Sequence, residues 1–163
     1  MKVVVDRGIK SFKNFISLIA GFNNIDFQYI ETSDITNSKI KDAEILFIRS
    51  TTHVNKTLLS NTKIKIIGSA TAGTDHIDKE YLDKNNIQWF YSPGSNALSV
   101  VNYVMASICY LNNNNLFSLN DIVGIVGCGN IGKKLKKTLD FFSIKNVLYD
   151  PFLNYYFLSD ISQ

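Results

Sequence analysis

Several residue types are scarce in this chain of 163 residues, and each scarcity excludes a class of protein. Its 2 cysteines form neither a disulfide framework nor a metal-binding spacing. With only 2 prolines and 9 glycines, collagen-like repeats and Pro/Gly-rich disorder are excluded as the main state. No apolar run approaches the roughly 18 residues of a membrane span, and no signal-peptide stretch follows Met1. We therefore expect a cytoplasmic protein with reduced thiols, long enough for one domain or for one and part of a second.

Arginine is equally scarce, with 2 residues against 15 lysines, although the formal charge is +3. The lysines are scattered and have no accompanying pattern of aromatic residues for base stacking, so neither a nucleic-acid nor a membrane partner is expected. The chain has 20 isoleucines, 15 lysines and 18 asparagines. These are the residue types whose codons are richest in A and T. Codon bias explains the basicity at least as well as a ligand does, and under such bias Arg49 is a better functional candidate than any lysine.

Short β-branched runs alternate with helical patterns over the first ninety residues. A helix with Asn55 as its N-cap is predicted over residues 56–60, and the stretch 32–42 is a polar connection. Five strand and helix repeats of this kind predict an α/β fold whose parallel sheet is covered on both faces. The predicted strands cover residues 3–5, 27–30, 45–48, 64–67 and 88–91.

The segment from Ala97 to Leu111 carries apolar residues at helical spacing and no charged residue. Such a helix is either buried within the chain or packed on another subunit.

A glycine-rich loop follows the next predicted strand. Gly127 suits a tight turn, Gly129 leaves room for a pyrophosphate, and Gly132 allows a helix starting near Asn130 to pack closely on the strand. The helix N-terminus favours phosphate, and Asp150, at the end of the following strand, would bind the ribose hydroxyls of NAD and repel the 2′-phosphate of NADP. The alternative is a tight turn in which the glycine spacing arises by chance.

A second small and hydroxylic segment, residues 69–78, follows the carboxyl end of a predicted parallel strand, where ligands of open α/β sheets bind. The Thr71 hydroxyl and the backbone around Gly73 are suited to a carboxylate or a phosphate. Arg49 and Ser50, at the neighbouring strand end, would add charge and a hydroxyl.

From the residues alone, a plain loop before a helix capped by Asp78 fits this segment about as well. His76 beside Asp75 suggests a general base, yet a histidine at a helix entry is more often structural. A nucleophilic pair of Ser50 and His53 is weaker still, because no third orienting group is evident.

Several local motifs occur in order along the chain. Together they resemble the D-isomer-specific 2-hydroxyacid dehydrogenases, and among them those that act on a phosphorylated substrate. The motifs are Val5-Asp6, Arg49-Ser50-x-Thr52-x-Val54-Asn55, residues 70–78, Pro93-Gly94-x-Asn96-Ala97, Val100-Val101-x-Tyr103-Val104, residues 123–127 and Asp150-Pro151.

The resemblance implies a flavodoxin-like parallel-sheet substrate domain over residues 1–96. An interdomain helix and the first βαβ unit of a Rossmann NAD-binding domain would occupy residues 97–150. Residues 151–163 would form an unfinished tail. The implied function is NAD-dependent oxidation of a phosphorylated 2-hydroxy acid, by a homodimer to which the helix from Ala97 contributes.

The same resemblance assigns individual roles. Ser50 and Thr71 match substrate-contacting positions. Asn130 and Ile131 match the loop whose backbone meets the cofactor pyrophosphate, beside Gly127, Gly129 and Gly132, and Asp150 matches the ribose-binding acid.

The family's catalytic arginine, glutamate and histidine lie in the second half of its members, and neither His53 nor His76 matches that histidine. We therefore expect an apparently truncated chain that is inactive alone and has no catalytic residue of its own. The alternative is a non-catalytic remnant that at most binds a nucleotide weakly or dimerises.

Overall fold

The computed structural model describes residues 1–18, 21, 24–153 and 155–158. The chain divides into two compact units, Met1–Pro93 and Gly94–Gln163. Each unit has its own sheet and its own hydrophobic core.

The first unit is built on a five-stranded sheet in which all neighbouring strands are parallel. The strand order is β2-β1-β3-β4-β5, which is the flavodoxin-like order. The predicted α/β fold with a parallel sheet is thus confirmed. The strands are β1 (Lys2–Asp6), β2 (Asp26–Ile30), β3 (Ile45–Ile48), β4 (Ile66–Ser69) and β5 (Gln88–Phe90).

Helices connect these strands: α1 (Phe12–Ser17), α2 (Asn37–Ile40), α3 (Lys56–Leu59) and α4 (Lys79–Lys84). The Asn55 side chain accepts a hydrogen bond from the Leu58 N–H, and Asp78 accepts one from Tyr81, so both predicted caps are present. The connection 32–42, expected to be only a polar link, contains a 3-10 helix and α2. Burial of Ile35 and Ile40 in the core explains these helical turns.

The two faces of this sheet are covered differently. On one face, buried aliphatic side chains that include Val4, Leu46 and Ile67 form a continuous core. Aromatic rings cluster around Phe12 of α1, whose ring centroid lies 4.8 Å from that of Phe47. Apolar residues therefore fill successive positions of strands such as β1 and β3, as expected for a sheet with both faces packed.

The second unit consists of α5 (Ala97–Asn113), β6 (Val123–Val126), α6 (Asn130–Phe141), β7 (Asn146–Asp150) and β8 (Tyr155–Leu158). β6 and β7 are parallel, and Leu135 and Leu139 of α6 pack with Ile125 and Leu148 of these strands. This is the predicted strand, helix and strand after the uncharged helix. In the described part of the chain, no helix is both long and apolar enough to cross a membrane.

The end of the chain differs from the sequence prediction. No element was expected after Pro151, but β8 pairs antiparallel with β7. The run of aromatic and aliphatic residues 155–158 has high β propensity, and β7 would otherwise present an unpaired edge.

Candidate functional site

The candidate polar residues of the first unit lie at the carboxyl ends of its strands. Because β1, β3 and β4 are parallel neighbours, the residues that follow them lie along one edge of the sheet. The strand order reverses between β1 and β3, and ligands of open α/β sheets bind beside such a reversal.

At this reversal, a wholly buried carboxylate holds an arginine. Asp6 accepts hydrogen bonds from the Gly8 N–H at 2.7 Å, from the Thr32 hydroxyl at 2.8 Å and from Arg49 Nε at 3.3 Å. Arg49 also donates from Nη2 to Thr32 Oγ1 at 2.6 Å, and its side chain remains 37% exposed. Arg49 therefore presents a fixed cationic group at the sheet edge. Sequence reasoning missed Asp6 as its partner.

Ser50 is exposed immediately after Arg49, in the turn that follows β3. Two residues further on, Thr52 is buried, and among the described residues its hydroxyl has no hydrogen-bond partner. Sequence reasoning did not single out Thr52. The only available signal was its place in the motif that begins at Arg49.

Thr71 is half-buried after β4 and belongs to a chain of polar side chains. Its hydroxyl lies 2.9 Å from that of Ser69, which lies 3.0 Å from Nε2 of His76. Burial lowers the pKa of His76 below its ordinary value of 6.5, and the His53 imidazole lowers it further, while Asp75 opposes the shift. His76 is therefore neutral at pH 7. Its burial and its hydrogen bond to Ser69 favour the structural interpretation over catalysis.

The glycine loop of the second unit has the local geometry that each glycine suggested. Gly127 has a φ of +100°, which L side chains rarely adopt. A Cβ on Gly132 would lie 1.8 Å from the Gly127 carbonyl oxygen, whereas one on Gly129 would meet nothing within 4 Å. The loop is thus tight where the helix meets the strand and open beside Gly129.

Helix α6 starts at Asn130 as predicted, and no side chain caps its N-terminus. Asn130 and Ile131 lie exposed in its first turn. The N–H groups of that turn, together with the helix dipole, provide donors for an anion.

Asp150 ends β7 beside this loop. Its carboxylate accepts the Cys128 N–H at 2.7 Å and the Phe152 N–H at 2.9 Å. These two backbone hydrogen bonds lower the pKa of Asp150, so the group is ionised at neutral pH. Each carboxylate oxygen retains lone-pair capacity for a further donor.

These residues fit a dinucleotide cofactor. The open space at Gly129 and the uncapped helix suit a pyrophosphate, and the ionised Asp150 suits ribose hydroxyls. In the described part of the chain, no group of three or more histidine, cysteine or acidic side chains is placed to hold a metal ion.

Comparison with known proteins agrees with this architecture. A family model for the D-isomer-specific 2-hydroxyacid dehydrogenase catalytic domain matches residues 31–149, and the chain belongs to that family. More particularly, it is homologous to erythronate-4-phosphate dehydrogenases. It is 40% identical to that of Blochmanniella floridana over 93% of the chain, and 41% identical to that of Wigglesworthia glossinidia brevipalpis over 94%. The chain spans about 40% of the length of these relatives.

Solved structures share the fold. NAD⁺-bound 3-phosphoglycerate dehydrogenase of Entamoeba histolytica is 26% identical with a TM-score of 0.73, and the match covers 95% of this chain and 55% of that one. D-lactate dehydrogenase of Aquifex aeolicus, complexed with NAD and lactic acid, has a TM-score of 0.65 at 18% identity, over 93% of this chain and 51% of that one. At 18% identity, the second likeness concerns the fold alone.

Proposed function

We propose that this chain provides part of the substrate site and part of the cofactor site of an NAD-dependent erythronate-4-phosphate dehydrogenase. Such an enzyme oxidises 4-phospho-D-erythronate at C2 to the 2-oxo acid, a step in the synthesis of pyridoxal 5′-phosphate. The observation that carries the proposal is the 2.7 Å hydrogen bond from Cys128 N–H to Asp150, which keeps a ribose-binding acid beside a phosphate-binding loop.

In this proposal, residues 1–96 form the substrate domain and residues 97–150 begin the Rossmann domain. Ser50 and Thr71 bind the substrate through their hydroxyl groups. Arg49, already fixed by Asp6, adds positive charge beside Ser50 and favours a substrate that carries a carboxylate and a phosphate.

The chemistry that bound NAD would supply is acceptance of the hydride from C2. The chain would hold the pyrophosphate through the backbone around Gly127, Gly129 and Gly132. The first residues of α6, Asn130 and Ile131, would contribute as well. Asp150 would orient the ribose. We assign proton removal to none of the 163 residues, so we expect binding without turnover from this chain alone.

Replacement of Asp150 with Asn tests the cofactor assignment. We expect wild-type chain to bind NAD⁺ at least about tenfold more tightly than NADP⁺, because a carboxylate attracts ribose hydroxyls and repels a 2′-phosphate. In Asp150→Asn, the dissociation constant for NAD⁺ should rise about tenfold while that for NADP⁺ does not, so that the preference is lost. Isothermal titration calorimetry with each nucleotide measures both constants.

The matched control is Asp83→Asn, which removes an exposed carboxylate from α4 in the first unit and should leave both constants unchanged. An equal loss of affinity for both nucleotides in Asp150→Asn would assign Asp150 to loop structure rather than to recognition. Absence of NAD⁺ binding by the wild-type chain would contradict the cofactor assignment itself.

We also propose that the chain forms a homodimer through α5. One side of this helix is buried at Val101 and Ile108, whereas Leu98, Tyr103 and Tyr110 are more than 60% exposed. A helix without charge that leaves three large apolar side chains in water favours a partner surface.

Both cysteines are free thiols, which fits the reducing cytoplasm that we propose as the location of the protein.

Tyr103→Glu tests this interface. A charge buried between two copies of α5 is strongly unfavourable, so the variant should sediment as a monomer at concentrations where wild type is dimeric. Asn14→Glu, which adds the same charge at an exposed position of α1, should stay dimeric. Analytical ultracentrifugation distinguishes these results, and a monomeric wild type would contradict the proposal.

A further inference from the structure

Two buried side chains stand behind the Thr71 hydroxyl and have no role in the proposed function. Ser69 and His76 are only 3% and 7% exposed. Together with Thr71 they form a row of hydrogen-bonded side chains. The distance is 3.0 Å between His76 Nε2 and Ser69 Oγ and 2.9 Å between Ser69 Oγ and Thr71 Oγ1. Both distances are those of well-formed hydrogen bonds.

The backbone holds both ends of this row. The His76 carbonyl accepts the Val54 N–H at 2.8 Å, which ties the turn after the loop to the segment that follows β3. The Thr71 carbonyl accepts the Ser92 N–H at 3.1 Å. The main chain at Thr71 and at His76 is therefore anchored to two other segments.

A serine hydroxyl has a single proton, so Ser69 can donate to only one of its two neighbours. If His76 carries a proton on Nε2, that N–H donates a hydrogen bond to Ser69 Oγ, and the Ser69 hydroxyl donates its own to Thr71 Oγ1. The proton of Thr71 is then free for a ligand. If Nε2 carries no proton, the order reverses, Thr71 donates inward to Ser69, and only its lone pairs remain for a ligand.

These two arrangements prefer different ligands. A carboxylate or a phosphate has oxygen lone pairs to share, so it binds a hydroxyl that donates and is disfavoured by one that offers only lone pairs. The orientation of the hydrogen bonds in this row thereby determines whether Thr71 attracts or disfavours an anionic group.

We propose that His76 and Ser69 are positioning residues, and that the Nε2–H tautomer of His76, acting through Ser69, holds the Thr71 hydroxyl as a donor for an anionic group of the substrate. This inference rests on the proposed role of Thr71 in substrate binding. Because burial lowers the pKa of His76, the imidazole is neutral at pH 7 and acts through its tautomer and not through a charge.

The tautomer is measured first, on the full chain without ligand. Long-range proton–nitrogen NMR spectra of ¹⁵N-labelled protein distinguish the protonated ring nitrogen of His76 from the unprotonated one. We expect protonation on Nε2. Protonation on Nδ1 alone overturns the proposal, whether or not the chain binds a substrate.

Binding of 4-phospho-D-erythronate to variants of the full chain then tests the relay, by calorimetry at pH 7. Ser69→Ala and His76→Leu interrupt the row of hydrogen-bonded side chains. Each should raise the dissociation constant about tenfold, the loss expected for a misoriented hydrogen bond to an anion. Ser69→Thr keeps the hydroxyl and His76→Gln keeps an N–H donor, so both should stay within about threefold of wild type. Rescue by these two variants separates orientation from simple packing.

A Thr71→Val variant separates failure of this inference from failure of the proposed function. If Thr71→Val weakens binding while Ser69→Ala and His76→Leu bind as wild type does, the substrate role stands and the positioning role is wrong. If Thr71→Val binds as tightly as wild type, or wild type shows no binding, both are wrong. If the Leu and Ala variants lose their native amide spectra, the comparison of Ser69→Thr and His76→Gln with wild type decides, and loss of affinity in both of these folded variants overturns the relay.

Discussion

A Gly132→Ala variant is expected to destabilise α6 and its neighbouring strands strongly. The added Cβ would lie 1.8 Å from the Gly127 carbonyl oxygen and 3.0 Å from the Gly127 carbonyl carbon. Both are backbone atoms, so no flexible side chain can move aside. Gly127 itself already has a φ of +100°, which restricts how the loop can adjust. We expect destabilisation of at least about 3 kcal/mol, at the upper end for an overpacked site.

Gly124→Ala is the matched control because it makes the same substitution in β6, where a Cβ meets nothing within 4 Å. Urea unfolding followed by backbone amide NMR reports the two units separately. The expected result is early loss of the signals of α6 and β6 in Gly132→Ala, with a much smaller change in Gly124→Ala. Equal midpoints for the two variants would contradict the close packing at Gly132.

The alternation of strands and helices was predictable because each element has its own local pattern of apolar residues. Val3, Leu46 and Ile67 lie in β-branched or aliphatic runs of strand length, and a parallel sheet covered on both faces requires such runs. The connection 32–42 was less predictable, since the polar residues conceal Ile35 and Ile40, whose burial decides its helical turns. The strand β8 depends on an open edge of β7, which is a property of the assembled sheet.

The candidate sites divide in the same way. The glycine loop is contiguous in sequence, so its turn, its open position and its close helix contact could each be predicted from one residue. The pairing of Asp6 with Arg49 joins positions 43 residues apart and depends on β1 lying beside β3. The hydrogen bond between Ser69 and His76 forms because the turn brings His76 back to the end of β4. The sequence pattern does not predict this contact.

The Asp6 carboxylate is the polar group whose neutralisation we expect to destabilise the first unit most. It is fully buried and accepts hydrogen bonds from Gly8, Thr32 and Arg49. In Asp6→Asn, the amide nitrogen replaces one acceptor oxygen, so one of these donors faces another donor and Arg49 loses its counter-charge. Breaking a buried pair in this way typically costs about 3 to 5 kcal/mol. Since Arg49 remains 37% exposed and keeps part of its hydration, we expect about 2 to 3 kcal/mol here.

Urea unfolding of Asp6→Asn measures this loss, and Asp26→Asn is its control because Asp26 is an exposed residue of the adjacent strand β2. The control should change the free energy of unfolding by less than about 0.5 kcal/mol. A double-mutant cycle with Arg49→Met then isolates the pair: once Arg49 is absent, the additional loss from Asp6→Asn should be clearly smaller than in the wild-type background. Full additivity would mean that Asp6 acts through Gly8 and Thr32 alone, and that the guanidinium at the sheet edge is positioned by something other than this carboxylate.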